Sequence, residues 1–584
     1  MGASEGFSVG QIRETTHGDS DDLLTAGLGL RGLAGTLSPF ADPAHPTAQE
    51  LRRRAIQSSW RGIADLGRLG GFGTVYGTLP AVAGREFHAF ARLPDARHPH
   101  RVLLQVPDHF DTTTRCLLVA PSSGSRGIYG AIAVAGAWGL PRGCAVVYTD
   151  KGTGSGYFDP ADGTGTTLEG IRAPMGEAEL EFSLPDAPTD AGIAVKHAHS
   201  GDQPERSWGQ HVLQAARFGL AMLDRAFPSR APFTAANTRI IAVGLSNGGG
   251  AVLRAAGEDV DGLLAGVVAL EPNVYVAGRG RPLFDYATEA AVMLPAALGS
   301  PVFDGVPFAR AGLAPPPGWA LRGASLKAHG RLASFMPGGQ ATEALDALRA
   351  SGWTQEALAV GASSTALDLW RAVTAAYASS YLRRGPADMP GGFSCMSLNA
   401  QGLPGPADAR VKAAWWADGA GIPPGPGLAL AGGTDVSLDP TLPGNLSLRQ
   451  LWAGSEGDAV ALRQAVDATA VNLPRDGLPV FVVHGTHDGL VPMAFSSEPY
   501  VQWLRASGRA PVFWKVPYAQ HFDAFLSFPD FGDRHVPLLP FGYAALDRLW
   551  EHLTEGRALP EDALVNRTQP RGAGPLTAEH LGLH

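Results

Sequence analysis

The sequence predicts an α/β fold with a mostly parallel sheet and a large, mainly helical insertion between its strands. Three observations predict it. From about residue 100, short β-branched runs alternate with helical patterns, as in a parallel sheet flanked by helices. Most of these runs are apolar throughout, as strands covered on both faces should be. The alternation stops after "EPNVYV" and resumes only at "LPVFVVHGTHD".

Six apolar runs are the candidate strands: "RVLLQV", "CLLVAPSS", "CAVVYTD", "RIIAVGLS", "GVVALEP" and "PVFVVHGTHD". Between the third and the fourth lies "SWGQHVLQAARFGLAMLDRAF". Its apolar and small residues recur at helical spacing, at Val212, Ala216, Gly219, Leu220 and Leu223. We therefore expect a helix that packs on the sheet just before the fourth strand.

The sequence divides into four predicted segments. Residues 1–75 show no clear strand series and are expected to wrap the core. The core itself is expected to consist of two segments, residues 76–276 and residues 474–584. Residues 277–473 mix helical patterns such as "ATEALDALRASGW" and "STALDLWRAVTAAYASSYLRR" with the Pro/Gly-rich linkers "AGLAPPPGWA" and "GIPPGPGLAL". Because structureless loops of that length are rare in compact proteins, we interpret this segment as a folded lid.

Composition excludes several classes of function. The chain has 584 residues, is 45% hydrophobic and 17% charged, and carries a net charge of -9, with no run of Lys or Arg longer than three residues. Nucleic-acid binding needs a clustered basic face, so we expect a small-molecule substrate and no nucleic-acid partner. No apolar run is long enough to span a membrane. Cys116, Cys144 and Cys395 permit one disulfide but show no zinc-site spacing. No metal constellation stands out.

The stretch "TRIIAVGLSNGGGAVLRAA" contains the strongest functional motif. Gly244, Leu245, Ser246, Asn247 and Gly248 match G-x-S-x-G, in which the serine lies on a sharp strand-to-helix turn. Glycines are needed because a side chain at either flanking position would collide with neighbouring backbone. The context supports the motif, since a strand pattern precedes it and a helix pattern follows. We predict that Ser246 is a nucleophile rather than an ordinary turn serine.

A serine nucleophile needs a base and an orienting acid, expected downstream in the order Asp or Glu, then His. Asp488 follows the strand "PVFVVHG", and His521 follows the strand-like "VFWKV". We predict both as catalytic, although Asp488 could simply cap the next helix. Their rivals are a second carboxylate and three other histidines: Asp523, His484, His487 and His535.

Backbone N–H groups must also stabilise the oxyanion of an acyl-transfer reaction. The N–H of Asn247, at the start of the helix after the nucleophile, is the first expected donor. The loop in "CLLVAPSSGSRGIYG" is expected to supply the second, from Ser123 or Gly124, and the sequence leaves that choice open.

The chain resembles the 3-hydroxybutyrate-oligomer hydrolase family. The resemblance rests on six segments between residue 20 and about 526: "SDDLLTAGLGLRGL", "APSSGSRGIYGAI", "WGLPRGCAVVYTDKGTGSG", "GLSNGGGAVLRAA", "FVVHGTHDGLVP" and "AQHFDAFL". It implies an α/β-hydrolase fold with a lid, Ser246 as the charge-relay nucleophile, and hydrolysis of short 3-hydroxybutyrate esters through an acyl-enzyme without a cofactor. Asp488 and His521 come from order and context, and the family is consistent with them.

Such a substrate has a carboxylate at one end, for which Arg126 and Lys151 are the candidate cations. The resemblance also implies an exported protein, whereas "MGASEGFSVGQIRETTHGDSDD" shows no leader, so a cytoplasmic location is the alternative. The rival functions are an esterase of the tannase or feruloyl-esterase type, a peptidase, and a non-catalytic binding protein with the same fold.

Overall fold

A ten-stranded sheet runs through the centre of the molecule. The computed structural model describes residues 8–309, 321–419, 427–562 and 567–583, and all counts refer to these ranges. The strands are β1 (Ser8–Val9), β2 (Arg13–His17), β3 (Gly84–Arg92), β4 (His100–Pro107), β5 (Cys116–Pro121), β6 (Ala145–Thr149), β7 (Tyr157–Asp159), β8 (Thr164–Thr166), β9 (Arg172–Pro174), β10 (Ala194–Val195), β11 (Arg239–Leu245), β12 (Gly266–Leu270), β13 (Phe393–Ser397), β14 (Leu428–Gly432), β15 (Val480–Gly485) and β16 (Val512–Val516).

The order of the main sheet is β1-β3-β4-β6-β5-β11-β12-β15-β16, with β2 also paired to β3. Every neighbouring pair from β6 to β16 is parallel, and the pairs β1/β3, β2/β3, β3/β4 and β4/β6 are antiparallel. The predicted mostly parallel α/β sheet is therefore confirmed, and the six predicted runs all form strands of it. This arrangement is that of an α/β-hydrolase core.

Helices cover both faces of the sheet. They are α1 (Gly29–Ala34), α2 (Ala48–Arg61), α3 (Ala137–Gly139), α4 (Lys196–His199), α5 (Trp208–Ala226), α6 (Asn247–Glu258), α7 (Leu283–Ala297), α8 (Arg322–Ala328), α9 (Pro337–Ala350), α10 (Gln355–Ala366), α11 (Leu369–Tyr381), α12 (Ala409–Ala414), α13 (Leu442–Ala453), α14 (Asp458–Asp467), α15 (Ser497–Ala506), α16 (Leu539–Glu555) and α17 (Ala578–Leu581). The predicted helix before the serine strand is α5.

Alternate residues of the central strands face opposite layers, as the period of two requires. Leu117 and Ile240 share one apolar core with α5, α6 and α15. Leu118 and Ile241 share the other core with α2 and α16. Because the sheet is covered on both faces, the ends of its parallel strands are the places where loops converge on a common site.

The segment between β12 and β15 contains α7 to α14 and the antiparallel hairpin of β13 and β14. It corresponds to the region 277–473 predicted from the sequence as a lid. The second helical pattern in it divides into α10 and α11, because Asp368 between them has a φ of 55°. The predicted linker at 311–320 and residues 421–426 of the predicted linker at 421–430 lie outside the described residues, and the end of the second linker forms the start of β14.

The N-terminal region corrects one expectation. The sequence of residues 1–75 shows no clear strand series, but β1 and β2 pair with β3 and extend the main sheet at its edge. In the rest of the region, Leu51, Ile56 and Trp60 of α2 are fully buried in the apolar core. Cys116 and Cys144 form a disulfide, and Cys395 is free and buried. None of the described helices is long and apolar enough to cross a membrane.

Candidate active site

Ser246 lies on a tight turn between β11 and α6. Its backbone has φ 59° and ψ -121°, a strained conformation for a residue with a side chain. The flanking glycines make this turn possible. A Cβ on Gly244 would lie 2.3 Å from the carbonyl carbon of Gly248, and one on Gly248 would lie 2.6 Å from the oxygen of Pro121. The sequence motif therefore folds as a nucleophile elbow.

The structure brings Ser246, His521 and Asp488 together. The Ser246 Oγ lies 2.9 Å from His521 Nε2, and His521 Nδ1 lies 2.8 Å from Asp488 Oδ2. The three residues are 8%, 5% and 1% exposed. With the ring proton on Nδ1, the serine hydroxyl donates to Nε2 and the ring donates to the carboxylate. This is the geometry of a serine nucleophile with an oriented general base.

Each partner of Ser246 comes from a loop after a parallel strand. Asp488 follows β15, and its Oδ1 accepts the backbone N–H groups of Leu490 and Val491 at 2.8 and 2.7 Å. Burial alone would raise the pKa of Asp488, but the charge of His521 and a hydrogen bond to His484 outweigh burial and hold that pKa well below its usual range. Asp488 is therefore an anion throughout the neutral pH range.

The rival residues have other partners in the structure. His484 Nε2 donates to the oxygen of Val491 at 2.9 Å, and His535 Nδ1 lies 3.1 Å from the oxygen of Tyr518. Asp523 accepts the N–H groups of Leu538 and Leu539 at 2.8 and 3.0 Å and so caps the start of α16. His487 lies against the Tyr518 ring, with its Nδ1 2.9 Å from the hydroxyl of Thr486.

Two segments with possible oxyanion donors meet beside Ser246. Asn247 begins α6, where the first backbone N–H groups have no partner within the helix. The loop after β5 lies against the elbow, because Pro121 is close to Gly248. Ser123 in that loop is buried, and Gly124 has a φ of 51°. The geometry is consistent with either Ser123 or Gly124 as the second donor and does not choose between them.

Lys151, predicted as a substrate-binding cation, has a different role. Its ammonium is fully buried and donates to Gly124 O at 2.6 Å, to Ser122 Oγ at 3.1 Å and to Thr153 Oγ1 at 3.1 Å. Burial lowers the pKa of Lys151 to about 7. Because its three donors are occupied within the protein, we correct the prediction: Lys151 supports the loop after β5 and does not face a substrate.

Arg126, the other predicted cation, is only partly engaged. Its Nη2 donates to the oxygen of Gly62 at 2.7 Å, and its side chain lines a small cavity with Ser155 and Trp416. Burial, with no acidic neighbour contributing, lowers the pKa of Arg126 to about 10. A half-buried guanidinium with no carboxylate partner in the described part of the chain has capacity for an added anion.

A second hydrogen-bond chain, which no sequence motif indicated, holds the oxyanion loop. Ser125 Oγ lies 2.5 Å from His197 Nδ1, and His197 Nε2 lies 2.5 Å from Glu205 Oε1. Ser380 of α11 donates to the other oxygen of Glu205 at 2.9 Å. These residues are buried. The chain therefore links the loop after β5 to a helix of the insertion.

The same insertion helix contacts the elbow. Asn247 Nδ2 donates to the hydroxyl of Tyr377 in α11 at 2.8 Å, and Asn247 Oδ1 accepts from Asn273 at 2.9 Å. The His197 ring packs edge-on against the Tyr377 ring, with 5.0 Å between centroids. Both segments with possible oxyanion donors are therefore fixed against α11.

Glu271, after β12, is a further buried residue that sequence reasoning missed. Together with Asp488 and His521 it forms the one cluster of potential metal-ligating atoms that the described ranges contain, all within 4.8 Å. Two members of the cluster already form the hydrogen-bond chain to Ser246. The sequence does contain a signal for Glu271, since it directly follows a strand of the parallel sheet.

Comparison with known proteins gives matches over nearly the whole chain. The family model described as 3HB-oligomer hydrolase (3HBOH) matches residues 5–583. The D-(-)-3-hydroxybutyrate oligomer hydrolase of Paracidovorax citrulli is 37% identical, with 98% of this chain and 90% of the relative covered. The proteins of the same name from Polaromonas naphthalenivorans and Burkholderia pseudomallei are each 36% identical, with 97% and 100% of this chain and 89% and 91% of the relatives covered.

Solved structures of esterases are more distant. Feruloyl esterase B from Aspergillus oryzae has a TM-score of 0.40 and 10% identity, and covers 96% of this chain and 89% of its own. Tannin acyl hydrolase from Aspergillus niger has a TM-score of 0.39 and 12% identity, with 96% and 85% covered. Likeness at this level does not distinguish one ester substrate from another.

Proposed function

Because this chain belongs to the 3HB-oligomer hydrolase family, we propose that it is a serine esterase that cleaves short 3-hydroxybutyrate oligomers. The observation that carries the proposal is the buried hydrogen-bond chain from Ser246 through His521 to Asp488. These three side chains supply a nucleophile and its base without a metal or an organic cofactor.

In the first half of the reaction, the Ser246 Oγ attacks the ester carbonyl carbon and His521 Nε2 takes the hydroxyl proton. Asp488 stabilises the imidazolium that forms. The N–H of Asn247 and one from Ser123 or Gly124 stabilise the oxyanion, at about 3 kcal/mol for each donor. The bond to the alcohol oxygen then breaks, the alcohol takes the proton from His521, and an acyl-enzyme remains.

In the second half, water attacks the acyl carbon and His521 takes its proton. The bond between the carbonyl carbon and Ser246 Oγ breaks, and the proton returns to Ser246. For a dimer, the two halves together release two molecules of 3-hydroxybutyrate. In each half, His521 therefore acts first as a general base and then as a general acid.

The test uses purified full-length protein with 3-hydroxybutyrate dimer and trimer, and Ser246→Ala as the inactive control. We expect release of monomer, at least a ~10⁴-fold loss of kcat in the variant, and labelling of Ser246 by a fluorophosphonate, read by mass spectrometry. Methyl gallate, methyl ferulate and a peptide amide are run beside the dimer. A preference for an aromatic ester or the amide, or turnover unchanged in Ser246→Ala, contradicts the proposal.

We also propose that Arg126 binds the terminal carboxylate of the oligomer. In support, Arg126 follows the first residues of the loop after β5, and its half-buried guanidinium has no acidic partner among the described residues. We expect Arg126→Gln to raise KM for the dimer about 10- to 100-fold, in line with ~1.5–3 kcal/mol for a charged hydrogen bond. The rise should be much smaller for p-nitrophenyl butyrate, which has no carboxylate. Arg142→Gln, at the exposed ion pair with Asp547, is the matched control. Equal losses on both substrates contradict this role.

Finally, we propose that the insertion between β12 and β15 acts as a lid and that the protein works in an oxidising compartment. The contacts of α11 with Asn247 and Glu205 support the first proposal. The disulfide between Cys116 and Cys144 supports the second, since disulfides are rare in the cytosol. Fractionation of the source cells, with thiol labelling before and after reduction, tests it. Cytosolic protein with both thiols free would contradict it.

A further inference from the structure

Glu271 directs a carboxyl group at the catalytic histidine, and the mechanism above does not use it. It follows β12 with a φ of 41° and is fully buried. Its Oε1 accepts the N–H of Gly485 at 3.3 Å. Its Oε2 lies 3.6 Å from His521 Nδ1 and has no hydrogen-bond partner among the described residues.

The position of this carboxyl is fixed by its neighbours. A Cβ at Gly485 would lie 2.7 Å from Glu271 Oε1, so glycine at that position leaves the room that the side chain fills. The Glu271 backbone N–H donates to the oxygen of Val483 at 2.8 Å. A non-glycine residue at positive φ persists only where its surroundings hold it there. The side chain is therefore held beside the His521 ring.

Two carboxyl groups thus lie on the Nδ1 side of one imidazole ring. Asp488 is within hydrogen-bond distance of Nδ1, at 2.8 Å, whereas Glu271, at 3.6 Å, lies beyond it. The titratable groups that face Glu271 are Asp488, Asp523 and His521, with His484 next to Asp488. Burial, followed by the charges of Asp488 and Asp523, raises the pKa of Glu271 well above its usual range. Of the two carboxyl groups, Asp488 is therefore the more readily ionised.

We infer that Glu271 is a second positioning acid of the site, which accepts the Nδ1–H of His521 when Asp488 carries no charge. This inference rests on the proposed function of Ser246 and His521. Replacement of Asp488 by a neutral residue removes the nearest negative charge, so Glu271 ionises more readily. A movement of less than 1 Å then brings its Oε2 into hydrogen-bond distance of Nδ1.

The experiment compares Asp488→Asn with the double variant Asp488→Asn/Glu271→Gln on the dimer substrate. Asparagine keeps an oxygen for the N–H groups of Leu490 and Val491 but places an amide opposite Nδ1. In a triad without a second acid, such a change costs about 10⁴-fold. We expect Asp488→Asn to lose only about 10- to 100-fold in kcat, and the double variant to lose about 10⁴-fold. Asp488→Ser gives the same comparison if the asparagine variant does not fold, as judged by thermal melting.

The pH profile separates positioning from a structural role. Activity of Asp488→Asn requires ionised Glu271, whose pKa is raised, so its kcat/KM should continue to rise with pH above the range where the wild type is constant. The double variant lacks that rise. Glu258→Gln in the Asp488→Asn background is the matched control, because Glu258 is another partly buried glutamate with a raised pKa, paired with Arg254 at the far end of α6. It should leave the activity of Asp488→Asn unchanged.

The inference is overturned if Asp488→Asn loses as much as the double variant and the two share one pH profile. That result is distinct from failure of the proposed function. In the latter case the wild type does not hydrolyse the dimer, or Ser246→Ala retains the wild-type rate.

Discussion

Single residues set the geometry of the elbow, and Gly248 is one of them. Its missing side chain allows the oxygen of Pro121, at the end of β5 and directly before the loop that carries the candidate oxyanion donors, to approach the start of α6. Any side chain at 248 must displace either that loop or the helix. The backbone of the oxyanion site therefore depends on a residue that has no functional group.

We expect Gly248→Ala to reduce kcat at least 10-fold and to lower the free energy of unfolding by about 1–3 kcal/mol, because its Cβ would lie 2.6 Å from Pro121 O. Urea denaturation and dimer hydrolysis measure the two effects. Gly338→Ala is the control, since its Cβ would meet nothing within 4 Å in the first turn of α9. Alanine is the better helix former there. Equal behaviour of the two variants would show that the close approach at Gly248 has no consequence.

At this scale the sequence predicted the Ser246 motif and the order of its partners, because both follow from local patterns. It did not predict that Lys151 is enclosed, since burial depends on the folding of distant segments. Nor did it predict the second hydrogen-bond chain, which joins Ser125, His197, Glu205 and Ser380 and whose members are up to 255 residues apart in sequence. No spacing rule in a single sequence indicates such a chain.

Among the elements, α11 has the most direct influence on the site. Tyr377 bonds to Asn247, and Ser380 bonds to the glutamate that orients His197. The helix thus joins the elbow and the oxyanion loop on one rigid support. An insertion that only covered the substrate would not need either contact.

We expect Tyr377→Phe to lower kcat about 10-fold with a small change in KM, because Asn247 loses a buried hydrogen-bond partner next to the nucleophile. Steady-state kinetics on the dimer measure both constants. Tyr381→Phe is the matched control, since Tyr381 lies one turn further on α11 and contacts Phe284 and Tyr377 through its ring. A Tyr377→Phe enzyme with wild-type kcat would rule out the coupling.

The elements also show where pattern reading succeeds. The central strands were found because they are apolar on both faces, and α5 because its apolar stripe is regular. β3 was missed, although it is nine residues long, because its polar residues, such as Arg85, Glu86 and His88, interrupt the apolar pattern. Glu86 is buried and forms an ion pair with Arg52 of α2. The local sequence does not reveal this tertiary contact.

At the scale of the whole molecule, a buried ion pair holds separate parts of the insertion together. Arg322 of α8 bonds to Asp439 at 2.6 Å and to the carbonyl oxygen of Ala291 in α7 at 2.7 Å. Both charged side chains are almost fully buried. Removal of one partner leaves a charge without compensation in the interior.

We therefore expect Asp439→Asn to lower the free energy of unfolding of the insertion by about 3–5 kcal/mol, measured by urea denaturation followed through tryptophan fluorescence. Asp388→Asn is the control, because its ion pair with Arg384 is exposed and such pairs contribute about 0–1 kcal/mol. A loss below about 1 kcal/mol in Asp439→Asn would show that this pair does not fix the insertion.

The two reacting side chains, Ser246 and His521, are separated by 275 positions, and the whole insertion lies between them. During synthesis the ribosome therefore releases the serine strand long before the histidine loop exists. A nascent chain that ends within the insertion contains the proposed nucleophile but not its proposed base, so we expect activity only after synthesis has passed His521.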